Sequence, residues 1–534
     1  MTSSLRLAIA QCNVTVGDIA GNAAKIRNLH MLAARQGVDL LVCPELSLIG
    51  YPPEDLVLAP DFRRKAIEAA QELAKITASG PGIVFGGVWE EGDKAYNAAI
   101  LCEAGRIAHI QYKSMLPNYG IFDEKRWFQP AMARNSYRFR GTNLALLICE
   151  DVWTPMLAME YRAQQVELMI AINASPFEGE KLTQRHQVTE IFAQTAGAPI
   201  VYVNLVGGQD DIVFDGGSYA QTADGTCVLQ MPEFKEALQV FAFDMKAELQ
   251  PALLREAALW EAMKLGLADY VRKNNFPGVL IGLSGGIDSA LTAVAAADAL
   301  GAASVKGVSL PSPYTSPDSI EDALELAKNL GIETYTIPID AGMRTFEAVL
   351  MPVFQTVDWM ENISVGGNLQ SRLRGITLMA LSNQLGFMLL STGNKSEIAV
   401  GYSTLYGDSC GGYNLLKDLY KTEIYTLAKW RNTQAFAIPK RSITRAPSAE
   451  LAPGQTDQDQ LPPYDVLDKL LYAHLEERLG PESLIDKGFD PGMVSKITKL
   501  VRQSEYKRRQ SCPGVKLTPM LFGKDRRYPL TSGY

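Results

Sequence analysis

"VLIGLSGGIDSALTAV" (residues 279–294) decides the fold of the second half of this chain. Its apolar opening reads as a buried strand, Gly285 and Gly286 as a turn, and the alanine-rich remainder as a helix. A strand that turns through glycines into a helix is a place to hold phosphate, because N–H groups at a helix N-terminus point outward at an anion. The lysine of G-x-x-x-x-G-K-[ST] is missing, and Asp288 stands in the loop instead. An acid there cannot meet phosphate directly without repulsion. It fits if it carries Mg²⁺, an oxygen-seeking cation that bridges to phosphates.

The neighbouring sequence supplies the rest of the layer. "SVKGVSLP" (304–311) and "IETYTIPID" (332–340) read as strands. Between them "SPDSIEDALELAKNLG" (316–331) reads as a helix with Ser316 as N-cap, Pro317 in the first turn and Gly331 as terminator. Its expected apolar face is Ile320, Ala323, Leu324 and Ala327. Alternating strands and helices predict a doubly wound parallel sheet, whose ligands bind beyond the carboxyl ends of the strands. Upstream, "LWEAMKLGLADYVRKNNFPG" (259–278) reads as an amphipathic helix ending before Pro277.

The first half has a different grammar. Apolar runs of four to eight residues recur, among them "LRLAIAQ", "DLLVCPEL", "GIVFGGVW", "NAAILCE", "LALLICED", "ELMIAINAS" and "PIVYVNLV". Helical patterns such as "GNAAKIRNLHMLAARQG" (21–37) and "FRRKAIEAAQELAKITASG" (62–80) interrupt them and close on glycine. Strands this apolar are buried on both faces, which predicts an α/β layered sandwich over 1–245. A linker is expected at 246–257 and a second domain at 258–534.

With 534 residues, a net charge of −8 and a 47% hydrophobic share, the chain reads as a multi-domain globular enzyme. The acidic balance argues against a broad nucleic-acid face. No apolar run reaches the length of a membrane helix. The first residues offer no basic leader, and seven scattered cysteines suit a reducing compartment, so a cytoplasmic location is expected. The four histidines show no metal-ligand spacing, and no CxxC occurs.

"SGGIDS" resembles the S-G-G-x-D-S loop of the ATP pyrophosphatases. Its family chemistry splits ATP between the α- and β-phosphates and adenylates an acceptor, so the loop grips a pyrophosphate leaving group. "GNLQSRLRG" (367–375), "LLSTGNKSEIAVGYSTLYGDSCGGYNLLKDLYKTEIYTLAKW" (389–430) and "IPKRSITRAPSAEL" (438–451) resemble the signatures of NAD synthetases. The resemblance implies an ATP site from Gly282, Leu283, Ser284, Gly285, Gly286, Ile287, Asp288, Ser289 and Thr392, with Mg²⁺ at Asp288 and Glu397. It implies contacts to deamido-NAD from Asn368, Glu397 and Lys507, and leaves the role of Arg372 open.

In "LALLICEDVW" Cys149 ends an apolar strand beside Glu150 and Asp151, two acids expected to raise a thiol pKa. A catalytic thiol there needs a base and a cation. Glu45 and Lys113 follow strands at comparable positions and can converge with it. The trio resembles the Glu-Lys-Cys site of the nitrilase superfamily, as found in the glutaminase domain of glutamine-dependent NAD synthetases. The resemblance spans the chain in that domain order, with an α-β-β-α first domain. It implies that Glu45 is the base, Cys149 the nucleophile and Lys113 the oxyanion partner, that Tyr119, Ser175 and Lys181 hold glutamine, and that Glu124 is an additional acid. It also implies a homo-oligomer and ammonia passed between the domains. Three rivals make different demands: an amidotransferase with another type of glutaminase, a tRNA-modifying member of the ATP-loop class, and an inert nitrilase-like scaffold on an ammonia-dependent synthetase.

Overall fold

The computed structural model describes residues 5–247, 249–354 and 363–532; Met1, Thr2 and Glu248, which bear on the readings of the leader and the linker, lie outside them. The chain divides into two units, Met1–Arg255 and Glu256–Tyr534. The helix Arg255–Lys273 begins within the stretch read as linker, four residues earlier than its apolar pattern suggests.

The first unit holds two six-stranded sheets. One runs in the order Ala237–Phe241, Leu7–Gln11, Leu40–Val42, Gly82–Glu91, Lys94–Glu103, Arg106–Tyr112. The other runs Cys227–Gln230, Tyr219–Gln221, Ile200–Asn204, Leu168–Asn173, Thr142–Ile148, Tyr137–Phe139. Alternation along each strand sorts the apolar residues into layers. Leu7 and Ile9 share a core with Leu146, Ile148 and Ile170 between the sheets. Ala8 and Ala10 face the opposite way, into a core with Ile26 and Ala33 of the helix Ile19–Arg35 and Ala66 of the helix Pro60–Lys75. Leu147 and Met169 pack likewise on Leu157 and Phe192 of the helices Pro155–Ala163 and Lys181–Ala196. The result is the expected α-β-β-α sandwich.

The second unit is built on a five-stranded sheet ordered Glu333–Thr336, Val305–Ser309, Val279–Gly282, Met388–Ser391, Tyr413–Asn414. Every pairing in it is parallel. The chain leaves the central strand Val279–Gly282 toward one side and returns on the other, so the glycine loop sits where the winding reverses. Ser316 caps the helix Pro317–Leu330 by accepting from the Ser319 N–H, and Gly331 ends it at φ 68°. The buried face of that helix differs from the expected one. Leu324 is exposed, and Ser319, Asp322, Ala323, Leu326 and Ala327 are buried. Asp322 is turned inward because Arg441 (2.9 Å) and Arg445 (2.9 Å) neutralise it. Among the described residues, no helix is long and apolar enough to cross a membrane, and all seven cysteines are free.

Candidate functional site

In the first unit three strand ends deliver the predicted trio. Glu45 follows the strand Leu40–Val42, on a turn where Leu46 takes φ 44°. Gly86 makes room for it, since a Cβ there would lie 2.0 Å from the Leu46 nitrogen and 2.5 Å from the Glu45 carbonyl carbon. Gly86→Ala is therefore expected to displace Glu45 and cut glutaminase turnover at least about 100-fold, on the scale of a misplaced catalytic group. Ammonium-driven product formation by the same variant checks that the second unit is intact.

Lys113 follows the strand Arg106–Tyr112 and is 1% exposed. Its ammonium donates to Glu45 Oε1 at 2.7 Å and to Glu124 Oε1 at 2.6 Å. The Tyr51 hydroxyl also donates to Glu124 Oε1, at 2.9 Å. Burial opposes the Lys113 charge, but Glu124 and Glu45 outweigh it and hold the ammonium well above its ordinary pKa. Burial pushes the Glu124 carboxyl up to about 7 against the pull of Lys113. So the extra acid read from the sequence shares one lysine with the base.

Cys149 closes the strand Thr142–Ile148 at φ 47°, a left-handed conformation that a side chain adopts at a cost. Its thiol is held well above its usual pKa, first by burial and then by Glu45, with Lys113 opposing. The two adjacent acids are not the main cause, contrary to the sequence reading. Asp151 is turned onto backbone, accepting from the N–H groups of Ile148 (3.0 Å), Ser114 (3.0 Å) and Met115 (2.8 Å). Glu150 contributes less than Glu45 and Lys113.

The three residues read as glutamine ligands differ in exposure and in partners. Tyr119 is 57% exposed, and its hydroxyl donates to Glu150 at 3.0 Å. Lys181 lies with its ammonium 4.9 Å above the Trp153 ring; burial holds the Glu150 carboxyl above its ordinary pKa, with Tyr119, Lys113 and Lys181 opposing. Ser175 is buried, its hydroxyl accepting from Arg185 Nε at 3.0 Å. Arg185 is in turn paired with Asp215 at 2.8 Å, with both side chains buried.

In the second unit a cavity of about 710 Å³ opens at the carboxyl ends of the parallel strands. Gly282, Leu283, Ser284, Gly285, Gly286, Ile287, Asp288, Thr392, Asn368, Glu397 and Lys507 all line it. Gly285 takes φ +78°, and a Cβ on it would lie 2.3 Å from the Ser319 carbonyl oxygen. Ser289 is not in the lining, against its expected place as a ligand. It is 3% exposed, and its hydroxyl ties the loop from behind by donating to the Gly286 carbonyl (3.0 Å) and accepting from the Ser284 N–H (3.2 Å). Arg372 is also absent from the lining; its Nε donates to the Leu405 carbonyl at 3.2 Å. Arg374, two residues on in the helix Asn368–Leu385, lines the cavity instead, and burial pushes its guanidinium down to about 10. Lys507 donates to the carbonyls of Gly401 (2.8 Å) and Ser403 (2.7 Å).

The missing lysine of the loop has a counterpart that the sequence reading overlooked. Lys421, at the start of the helix Lys421–Gln434, is ion-paired with Asp288 and lies 3.4 Å from Glu397 Oε1. Asn394 completes the cluster, donating its side-chain N–H to Asp288 Oδ1 at 3.0 Å. Glu397 is pushed up to about 8 by burial, with Lys421 opposing and Asp288 reinforcing. Among the described residues, no group of three or more His, Cys, Asp or Glu is arranged to hold a metal. Asp288 and Glu397 are nonetheless a pair of hard oxygen donors of the kind that Mg²⁺ shares with substrate phosphates.

A sandwich carrying a thiol, a lysine and two acids, joined to a parallel sheet with an anion-binding loop, defines a carbon–nitrogen hydrolase fused to an adenylating ligase. Residues 6–250 match the carbon-nitrogen hydrolase family and 259–511 the NAD synthase family. The chain belongs to the glutamine-dependent NAD(+) synthetases. It is 42% identical over 543 residues to that enzyme of Acinetobacter baylyi, covering 99% of both chains. It is 41% identical to that of Thermotoga maritima, covering 99% of both. Among solved structures, the Acinetobacter baumannii enzyme in complex with ADP aligns with a TM-score of 0.79 at 40% identity, over 99% of this chain and 98% of that one. The Cytophaga hutchinsonii enzyme shares the fold, with a TM-score of 0.86 at 22% identity and the same coverage.

Proposed function

We infer that this chain amidates deamido-NAD to NAD, consuming ATP and drawing the nitrogen from glutamine. One observation carries the reading: a single chain holds both a buried thiol beside a Glu–Lys–Glu cluster and a glycine loop opening on a nucleotide-sized cavity. The first unit releases ammonia. Cys149 attacks the side-chain amide carbon of glutamine, and its proton passes to Glu45. Lys113 stabilises the oxyanion of the tetrahedral intermediate. The C–N bond then breaks, Glu45 returns the proton to the departing ammonia, and a thioester remains. Water cleaves the C–S bond, giving glutamate and the free thiol. Tyr119, Lys181 and Ser175 hold the substrate.

In the second unit the nicotinate carboxylate of deamido-NAD attacks the α-phosphorus of ATP and pyrophosphate leaves. Ammonia from the first unit attacks the resulting acyl adenylate, and AMP departs as the amide forms. The loop 282–288 and Thr392 hold ATP, Ser289 braces the loop, and Asn368, Glu397 and Lys507 hold the dinucleotide. Asp288 and Glu397 would hold Mg²⁺, which supplies positive charge to the pyrophosphate. The active form is a cytoplasmic homo-oligomer, and size measurement in solution checks the assembly.

Product stoichiometry tests the reading. Each glutamine-driven turnover is expected to yield one NAD, one AMP, one pyrophosphate and one glutamate. Release of ADP and phosphate in their place would contradict the adenylate.

A further inference from the structure

We propose that Asn97 is a positioning residue of the glutaminase, fixing which oxygen of Glu45 exchanges protons. This rests on the reading of Glu45 as the proton acceptor for Cys149. Asn97 lies on the strand Lys94–Glu103, between the strands that lead to Glu45 and Lys113, and is 0% exposed. Its side-chain N–H donates to Glu45 Oε1 at 2.7 Å. Its backbone carbonyl accepts the Lys113 N–H at 2.8 Å. One residue therefore holds both the base and the lysine.

Each carboxylate oxygen offers two lone-pair sites. Oε1 of Glu45 accepts from Asn97 and from the Lys113 ammonium, so both of its sites are taken. Among the described residues Oε2 accepts from the Ala174 N–H alone, at 2.8 Å, which leaves one site open. The thiol proton is thus received at Oε2. Without Asn97 the two oxygens become closer to equivalent and the proton is less tightly directed.

The orientation of the amide supports this. Its Oδ1 is buried and has no hydrogen-bond partner among the described residues. An orphaned buried acceptor is costly, and a side chain chosen only for packing would avoid it. Flipping the amide would not relieve the strain, because it would set oxygen against the Glu45 oxygen.

The prediction is a change in the pH profile. The groups facing Glu45 are Lys113, Glu124, Cys149, Tyr51 and Glu150. Asn97→Leu keeps the shape and removes a neutral donor from the carboxylate, so Glu45 holds its proton more tightly. The acid limb of glutaminase kcat should move upward by about one pH unit, with kcat down roughly 10- to 100-fold. KM for glutamine and ammonium-driven NAD formation should stay near wild type, which a general disruption of the sandwich would not allow for KM. Asn97→Asp gives a second reading. Its neutral carboxyl donates as the amide does, whereas the ionised form repels Glu45, so glutaminase should survive at low pH and fall away as pH rises. If Asn97→Leu does not fold, this isosteric variant decides. Wild-type profiles from both variants, or from Asn97→Asp alone where the other does not fold, would overturn the proposal. Glu45→Gln is measured alongside. If it retains full glutaminase, the role of Glu45 fails and the proposal with it; if it loses glutaminase while the Asn97 variants match wild type, only the Asn97 proposal fails.

Discussion

Lys421→Met is expected to abolish NAD formation from glutamine and from ammonium alike, by about 10³-fold, the scale on which one preorganised charge contributes to a transition state. Two effects add. The ammonium stands at the glycine loop, where pyrophosphate charge develops. It also offsets Asp288 and Glu397, and burial already pushes Glu397 up to about 8 against the pull of Lys421 and of the Asn394 N–H. Removing it leaves two carboxylates facing incoming triphosphate. Breaking a buried ion pair from one side is costly to stability as well, so glutamate release by the same variant is the control. That activity belongs to the first unit and should persist. Rates of NAD formation within a few-fold of wild type from either nitrogen source would contradict the role.

The second large effect concerns Cys149. Burial and Glu45 keep its thiol protonated well above the usual range, so the resting residue is a poor nucleophile. Its reactivity has to arise as the proton leaves for Glu45 in the attack itself, with Lys113 meeting the charge that forms on the substrate oxygen. Without the sulfur there is no thioester route, and glutamine-dependent turnover should fall by at least about 10⁴-fold, the residual expected when a covalent nucleophile is lost. Ammonium bypasses that step, and its use should be unaffected.

The readable parts of this chain were those in which local chemistry and tertiary position agree. The strand, glycine turn and helix at 279–294 can be recognised because each feature lies within one short segment. The same is true of the cap at Ser316 and the terminator at Gly331. What escaped depended on partners far along the chain. Leu324 rather than Asp322 would be chosen for the core of its helix on apolarity alone; the arginines that bury Asp322 come more than a hundred residues later, at 441 and 445. Lys421 lies 133 residues from the acid that it neutralises, in a segment whose lysines carry no local mark. Asn97 opens "NAAILCE" as one polar residue in an ordinary apolar strand, with nothing local to mark it. Cys43, just after a strand, and Cys102, near the end of one, are buried too, so burial and periodicity alone do not single out Cys149. The resemblance to the nitrilase superfamily did so. The sheet order then brought Glu45 to Lys113 across 68 residues of sequence. Ser289 shows the reverse limit, since the motif marks the position while the hydroxyl's use inside the loop becomes visible only in the fold.

The most direct test of the whole account is NAD formation by purified protein from deamido-NAD, ATP and Mg²⁺, with glutamine or ammonium as nitrogen source, in wild type and Cys149→Ala. The account predicts NAD from both sources in wild type and from ammonium alone in the variant. Undiminished glutamine-driven synthesis in Cys149→Ala would make the first unit an inert scaffold, and no NAD under any condition from folded protein would assign the ATP loop to another acceptor.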